Sequence, residues 1–278
     1  MGIFDLFKKA PSISAAEVHT YIQERQPLEY CLLDVRQPAE YQEGHLPGAK
    51  LLPIGQLQGC MSELDREKPL IVYCRTGSRS NSAAALLMAA GFKQVLNMNG
   101  GIVRYNGMIA SGPPEAGMFC FPESLSPVQL TAVAWFLEDG VLSFLEGISD
   151  AGLSASEREV LGVLAGIKQL HKEKLRQLYQ DLTRQIPSEK FPADVLDLPG
   201  EQIMVGCVKV SDAIQWAKGK SSGEVLEMLI SLSANAYDLY LKLVRIANSE
   251  ETRKVLSLLA KEEESNINEI TKAFEKTL

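Results

Sequence analysis

A chain of 278 residues carrying 28 Lys and Arg against 35 Asp and Glu has a net charge of −7, and 46% of it is hydrophobic. That length suits two globular domains, and that composition supplies sizeable cores. The acidic balance argues against general nucleic-acid binding, which needs a basic face. No apolar run approaches ~18 residues, so no membrane-spanning helix is expected. Met1–Lys9 puts its apolar residues ahead of its Lys pair, the reverse of a secretory leader, and Leu6 stands where a myristoylation signal has Ser or Thr. The segment is expected to dock as a frayed chain end, with a short amphipathic membrane or partner contact as the alternative. Five cysteines (31, 60, 74, 120, 207) form an odd, widely spaced set with no C-x-x-C pair. They predict no disulfide scaffold and fit a reducing cytoplasm; Cys60 and Cys120, in less regular segments, are each open to use as a resolving thiol.

In chain order, Ser14-Ala15-Ala16-Glu17 has the form of a capping box and opens a helix through about Gln23, with Pro27 beyond its end. Tyr30–Asp34 reads as a strand, with Cys31 in the core and Asp34 as an anchor accepting hydrogen bonds from loop N–H groups or a basic side chain. Pro38–Tyr41 gives a turn of helix and His45–Gly48 a turn. His45 is read as a solvated or hydrogen-bonded structural imidazole, not as a general base. A short strand at Ala49–Pro53, a helix at Gln56–Leu64 and a strand at Leu70–Tyr73 follow. A helix then begins near Ser80 and stops at Gly91, and Val95–Met98 is another strand. Strands alternating with helices imply a parallel sheet covered on both faces.

The chemistry concentrates in Cys74-Arg75-Thr76-Gly77-Ser78-Arg79-Ser80, directly after the apolar strand. Ligands of open parallel sheets sit outside the carboxyl ends of the strands, where Cys74 stands. Loop N–H groups turned inward form an anion-binding nest, and a helix N-terminus adds to it. Together with Arg75 and Arg79 they favour thiolate over thiol. Gly77 is expected in a conformation closed to other residues, with Thr76 and Ser78 keeping the loop narrow. Arg79, at the helix start, is read as a fixed donor, and Arg75 as facing the mouth to meet an anionic substrate. A buried structural cysteine is the plainer alternative.

This loop resembles the active-site loop of the rhodanese sulfurtransferases. Leu32-Leu33-Asp34-Val35-Arg36 with Glu40-Tyr41 and Gly44-His45-Leu46-Pro47-Gly48-Ala49 is similar to that family's upstream signature, and Gly100-Gly101-Ile102 with Tyr105 to its closing motif. The resemblance covers about residues 10–108. It implies that Cys74 takes a sulfane sulfur from a donor such as thiosulfate, holds it as a persulfide and hands it to a thiophilic acceptor. Asp34, Arg36 and His45 then act as structural support, and no metal or organic cofactor is needed. The related dual-specificity phosphatases need one more residue between Cys and Arg; here Arg79 comes fifth after Cys74, which favours a sulfur-sized pocket.

Ser111-Gly112-Pro113-Pro114-Glu115-Ala116-Gly117 is a linker by composition. Met118-Phe119-Cys120-Phe121-Pro122 is too apolar to stay free in water and is expected to dock. From Ser126-Pro127 the apolar period becomes helical, through Val133, Phe136, Leu137, Val141, Phe144 and Leu145. Further long helices are predicted at about 155–185, 222–247 and 250–276. Between the second and third lies an extended connection, rich in Pro, with one short helix near 211–217. This is the plan of an all-α ferritin-like four-helix bundle. Leu164–His171 parallels Leu259–Asn266, and both stretches resemble the Glu-x-x-His helix of the rubrerythrins, which bind two irons. Carried over, Glu138, His171 and Glu263 fit the ligand pattern, whereas Lys168, Ala234 and Asn266 do not. The resemblance therefore implies a degenerate site without metal, in which Lys168 pairs internally with Glu138 or Glu263; a single metal held by Glu138, His171 and Glu263 is the alternative.

The reading that results is an α/β rhodanese-like domain at 1–110, a linker at 111–125 and a ferritin-like helical bundle at 126–278. It describes a cytoplasmic sulfurtransferase whose partners are a small sulfur donor (thiosulfate or a persulfide) and a thiol acceptor. Nucleic acid and membrane are not expected partners, and the long amphipathic helices leave a homo-oligomer open. The alternatives are a non-catalytic scaffold sensing an anion or persulfide, and a metal-dependent redox protein using the helical bundle.

Overall fold

The computed structural model describes residues 10–121, 125–148, 155–198 and 200–275; Met1–Lys9 and Pro122, on which expectations were placed above, lie outside them. The chain divides between Ala116 and Gly117 into two compact units.

The first unit opens with a short strand that the sequence pattern did not announce, β1 (Ser12–Ser14). Ser14 then caps α1 (Ala15–Gln23), accepting from the Glu17 N–H while the Glu17 carboxylate takes the Ser14 N–H, the expected capping box. β2 (Cys31–Asp34), α2 (Pro38–Glu43) and β3 (Lys50–Leu51) follow. The helix expected over Gln56–Leu64 is broken: a 3₁₀ turn at Ile54–Gln56, one α-turn α3 (Leu57–Cys60) and a second 3₁₀ turn at Met61–Glu63. Gly59 inside so short a segment gives the backbone little reason to continue one helix. β4 (Leu70–Tyr73), α4 (Ser78–Ala89) and β5 (Val95–Asn99) complete the unit, and α4 starts two residues earlier than the sequence suggested.

All five strands are parallel, in the order β1-β5-β4-β2-β3. The four residues of β4 are fully buried because helices cover both faces. Side chains alternate across the sheet. Leu70 and Val72 join Leu33, Leu57, Ala83 and Leu87 on one face, whereas Ile71 and Tyr73 join Leu32, Val18 and Tyr41 on the other. Each such aliphatic side chain contributes about 1.5–3 kcal/mol by leaving water. The start of the expected linker is tied down, since Ala110 exchanges backbone hydrogen bonds with His45 and the Gly112 N–H donates to Gln42 O at 2.8 Å.

The second unit is built on four long helices, α5 (Pro127–Ile148), α6 (Ala155–Thr183), α8 (Ser222–Ile246) and α9 (Glu250–Glu275), with α7 (Val210–Ala217) before α8. α8 packs on α9 and α5 on α6, and α9 also touches α5 and α6. The long connection holds an unexpected hairpin, β6 (Ile203–Met204) with β7 (Val208–Lys209), antiparallel. The Met118–Cys120 segment forms a 3₁₀ turn; Phe121 docks edge-to-face on Tyr240, while Phe119 stays exposed.

The 22-residue α5 is long and apolar enough to cross a membrane by length and composition, although Glu138 and Asp139 interrupt its apolar run. It packs half its length inside the helical unit. The cysteines do include a disulfide, Cys120–Cys207. Spacing could not disclose it, because 87 residues separate the two thiols and only packing brings them together.

Candidate active site

Cys74 is the first residue after β4, at the carboxyl edge of the sheet. The chain must reverse there within three residues to start α4. Gly77 permits this by taking φ +99, a left-handed conformation that costs a side-chain-bearing residue but not glycine. The turn aims the Gly77 N–H at Cys74 Sγ, 3.1 Å away. Gly101, at φ +60, passes so close to the Cys74 and Arg75 carbonyls that a Cβ would collide with both. The Ile102 and Val103 N–H groups bind those same carbonyls at 2.9 and 3.2 Å. Loop and closing motif are thereby clamped together.

Ser80, in the first turn of α4, brings its hydroxyl 3.5 Å from Cys74 Sγ and 2.6 Å from Asn97 Oδ1 on β5. Burial pushes the Cys74 thiol up, but the Ser80 hydroxyl and the N–H groups of Ser80, Gly77 and Thr76 outweigh it and hold the thiol below its ordinary value. Ser80→Ala removes that hydroxyl, whose single proton reaches either Cys74 Sγ or Asn97 Oδ1. The pH midpoint of any thiolate-dependent reaction at Cys74 is expected to move up, and the rate at neutral pH to fall about 3- to 10-fold. At alkaline pH, where both thiols are ionised, variant and wild type should converge; a pH–rate profile with unchanged midpoint would count against this hydroxyl as a stabiliser of the thiolate.

The supporting residues assemble behind the loop. Arg36 forks onto Asp34 through Nε and Nη2, at 2.9 and 2.6 Å to Oδ2, and its Nη2 also reaches Gly44 O at 2.6 Å. The pair is buried beside the Tyr73 ring, and the Tyr73 hydroxyl accepts from the Leu46 N–H. Asp34 is thus the expected anchor. His45 is fully buried, not solvated: it stacks on the Tyr41 ring, with Nδ1 2.9 Å from Tyr41 O.

Arg79 differs from expectation. Its Nη1 and Nη2 both donate to the Glu40 carboxylate, at 2.7 and 2.6 Å, and the hydrogen bond from Arg79 holds Glu40 at about 2. Arg79 keeps its positive field near the thiol, while one N–H on each of its Nη atoms is committed to Glu40 on α2. Arg75, Thr76 and Ser78 are exposed on the loop. The sequence reading left Asn97 and the Glu40 partnership out of the site. A polar residue on an inward position of β5 was the signal for Asn97; nothing local links Glu40 to Arg79, 39 residues on.

The helical unit brings its singled-out residues together as well. Lys168 Nζ lies 2.9 Å from Glu138 Oε2 and donates to Oε1 at 3.2 Å, both side chains being buried. His171 Nδ1 stands 3.8 Å from Glu138, and Asn266 donates to Glu263 at 3.3 Å. Ala234, also buried, brings no polar atom. Among the described residues no group of three or more His, Cys, Asp and Glu is arranged to hold a metal ion. Burial raises Glu263 to about 7, Lys168 opposing and Glu138 reinforcing the shift. Because the folded protein holds that proton more tightly than the unfolded chain, this group's stabilisation is present at acid pH and is lost as pH rises from the ordinary carboxylate range through about 7. Glu263→Gln is expected to flatten the fall in unfolding free energy between about pH 5 and 7, by up to a few kcal/mol, in urea titrations.

An ionisable thiol at the floor of an amide-lined turn, outside the carboxyl end of a parallel sheet, is the environment a cysteine nucleophile needs. Residues 14–108 match the Rhodanese-like domain family. Over 74 residues the chain is 42% identical to a sulfurtransferase of Allochromatium vinosum, covering 27% of this chain and 69% of that protein. A thiosulfate sulfurtransferase, GlpE, of Pseudoalteromonas translucida is 35% identical, with 27% and 70% covered. A tRNA uridine(34) hydroxylase of Chlamydia pneumoniae is 32% identical over 130 residues, 44% of this chain and 39% of that protein. The chain belongs to the rhodanese-like family, and its first unit is a rhodanese-like domain with relatives that are named sulfurtransferases.

Proposed function

We propose that the protein is a sulfurtransferase in which Cys74 carries sulfane sulfur from a small anionic donor such as thiosulfate to a thiol acceptor. One observation carries this reading: the Gly77 N–H donating to Cys74 Sγ at 3.1 Å, inside a loop whose other amides and Ser80 hydroxyl hold the thiol below its ordinary value. The Cys74 thiolate attacks the outer sulfur of thiosulfate, the S–S bond breaks, and sulfite leaves with the bonding pair. Cys74 is left as a persulfide anion. The amides that held the thiolate now face the terminal sulfur, a fixed, water-poor environment for that charge. An acceptor thiolate then attacks the terminal sulfur and Cys74 departs as thiolate, ready for another cycle. Cys74 is 1% exposed, which suits a small terminal sulfur arriving end-on, and Arg75 at the loop surface supplies a cation to draw the donor in.

We read the helical unit as a ferritin-like bundle in which Lys168 stands at the position of a metal; the meeting of Glu138, Lys168, His171, Glu263 and Asn266 supports that. The test of the sulfur-transfer reading is direct. Incubation with thiosulfate should add the mass of one sulfur atom, mapped to the Cys74 peptide, with release of an equal amount of sulfite; an unmodified mass under those conditions would overturn it.

A further inference from the structure

Cys120 and Cys207 are joined in a disulfide within the helical unit, and both are half-exposed. Cys120 ends the 3₁₀ turn that follows Gly117. Cys207 ends the next such turn, Val205–Cys207, and, like Gly206, it takes a left-handed backbone. Cys207 Sγ also lies 3.7 Å from the Gly117 carbonyl. The pair is neither enclosed in the core nor used by the reaction assigned to Cys74.

We propose that this pair is a redox-active dithiol which accepts sulfane sulfur from a persulfide and releases it as hydrosulfide, closing into the disulfide seen here. The inference rests on the reading of the chain as a sulfur-transfer protein, and gives it an acceptor chemistry. Sulfane sulfur leaves as sulfide only if two electrons are supplied, and two thiols that close a disulfide supply both. In a reducing compartment an accessible disulfide is transient and turns over, unlike a structural staple in a secreted domain.

The geometry divides the roles. Once reduced, the Cys207 S–H has the Gly117 carbonyl within reach as acceptor, which ties its hydrogen to that carbonyl. Cys120 is therefore the attacking thiol. Its thiolate attacks the terminal sulfur of R–S–SH; the S–S bond breaks and R–S⁻ leaves, so that Cys120 now bears the persulfide. Cys207 then gives up its proton to solvent and attacks Cys120 Sγ, expelling HS⁻ and forming Cys120–Cys207. In sum, one persulfide and two thiols become one thiol, one hydrogen sulfide and one disulfide. A small-molecule or protein dithiol returns the pair to the reduced state by exchange.

Glutathione persulfide added to the reduced Cys74→Ser chain, freed of reductant, tests this apart from the chemistry of Cys74. The chain should release one equivalent of hydrosulfide above a Cys74→Ser/Cys120→Ser/Cys207→Ser control and close its disulfide. Cys207→Ser in the Cys74→Ser background should stop with one added sulfur on the Cys120 peptide and no extra hydrosulfide; Cys120→Ser should show neither. Hydrosulfide no higher than in the control, equal release from the Cys207→Ser form, or a disulfide that a dithiol opens only when the protein unfolds would each overturn the proposal. Thiosulfate loading of Cys74 in the Cys120→Ser/Cys207→Ser chain is expected at the wild-type level. That measurement tells failure of the pair from failure of the sulfur-transfer reading.

Discussion

Cys74→Ser is expected to leave a folded protein that takes up no sulfur from thiosulfate, with turnover reduced to that of the uncatalysed reaction. Serine keeps the shape at the end of β4, where Cys74 belongs to the same core cluster as Val35, Val72 and Ala83. With the Gly77 N–H able to donate to the serine hydroxyl, the unfolding free energy should fall by no more than about 1–3 kcal/mol, the range for a hydroxyl placed in a packed site. The chemistry does not survive the exchange. The amides and the Ser80 hydroxyl hold a thiol below its ordinary value, but the same donors cannot ionise an alcohol near neutral pH, and the partners that Cys74 Sγ shows among the described residues, the Gly77 N–H and the Ser80 hydroxyl, are not bases. His45 cannot take that part, being buried against Tyr41 with Nδ1 at a backbone carbonyl. Mass spectrometry after thiosulfate treatment, beside a urea titration, checks both halves. Sulfur retained by the Ser variant would move the reaction to another thiol, with Cys60 and Cys31 the first to map.

The second large effect belongs to the helical unit. Lys168→Ala is expected to cost about 3–5 kcal/mol of stability, because it strands the Glu138 carboxylate in the interior beside a second buried acid, Glu263. The Lys168 cation is the chief attraction opposing the burial of Glu138. Taking both charges away is a different experiment. Lys168→Met with Glu138→Leu removes two desolvated ions together, and such replacements are commonly neutral or stabilising. The double variant should recover most of the loss seen in the single one, measured as urea midpoints at neutral pH. A Lys168→Ala protein within about 1 kcal/mol of wild type would show that water reaches this cluster and that the pair behaves like a surface one.

What could be read from the chain alone follows from how far each feature reaches along it. The Ser14–Glu17 capping box spans three residues and formed as read. The run Leu70–Tyr73 announced a strand buried on both faces through its composition, and Cys74 through Ser80 announced a thiolate loop because all the donors are consecutive. The break in the Gln56–Leu64 helix, the two-residue strands and β1 carried too little periodic signal to be seen. Arg79 was misjudged for a different reason: its partner, Glu40, sits on another helix, and no spacing rule links them.

The amino-acid sequence by itself therefore determined the parallel α/β unit, the position of its nucleophile and the helical character of the second half, since each is written in residues adjacent or a few turns apart. Only the tertiary structure decided which donors face the Cys74 sulfur, that Arg79 is held by Glu40, that Lys168 neutralises Glu138, and that Cys120 meets Cys207. Those pairings depend on where distant segments come to rest, and burial sets their energies by stripping water from charges and thiols whose neighbours the linear chain does not name.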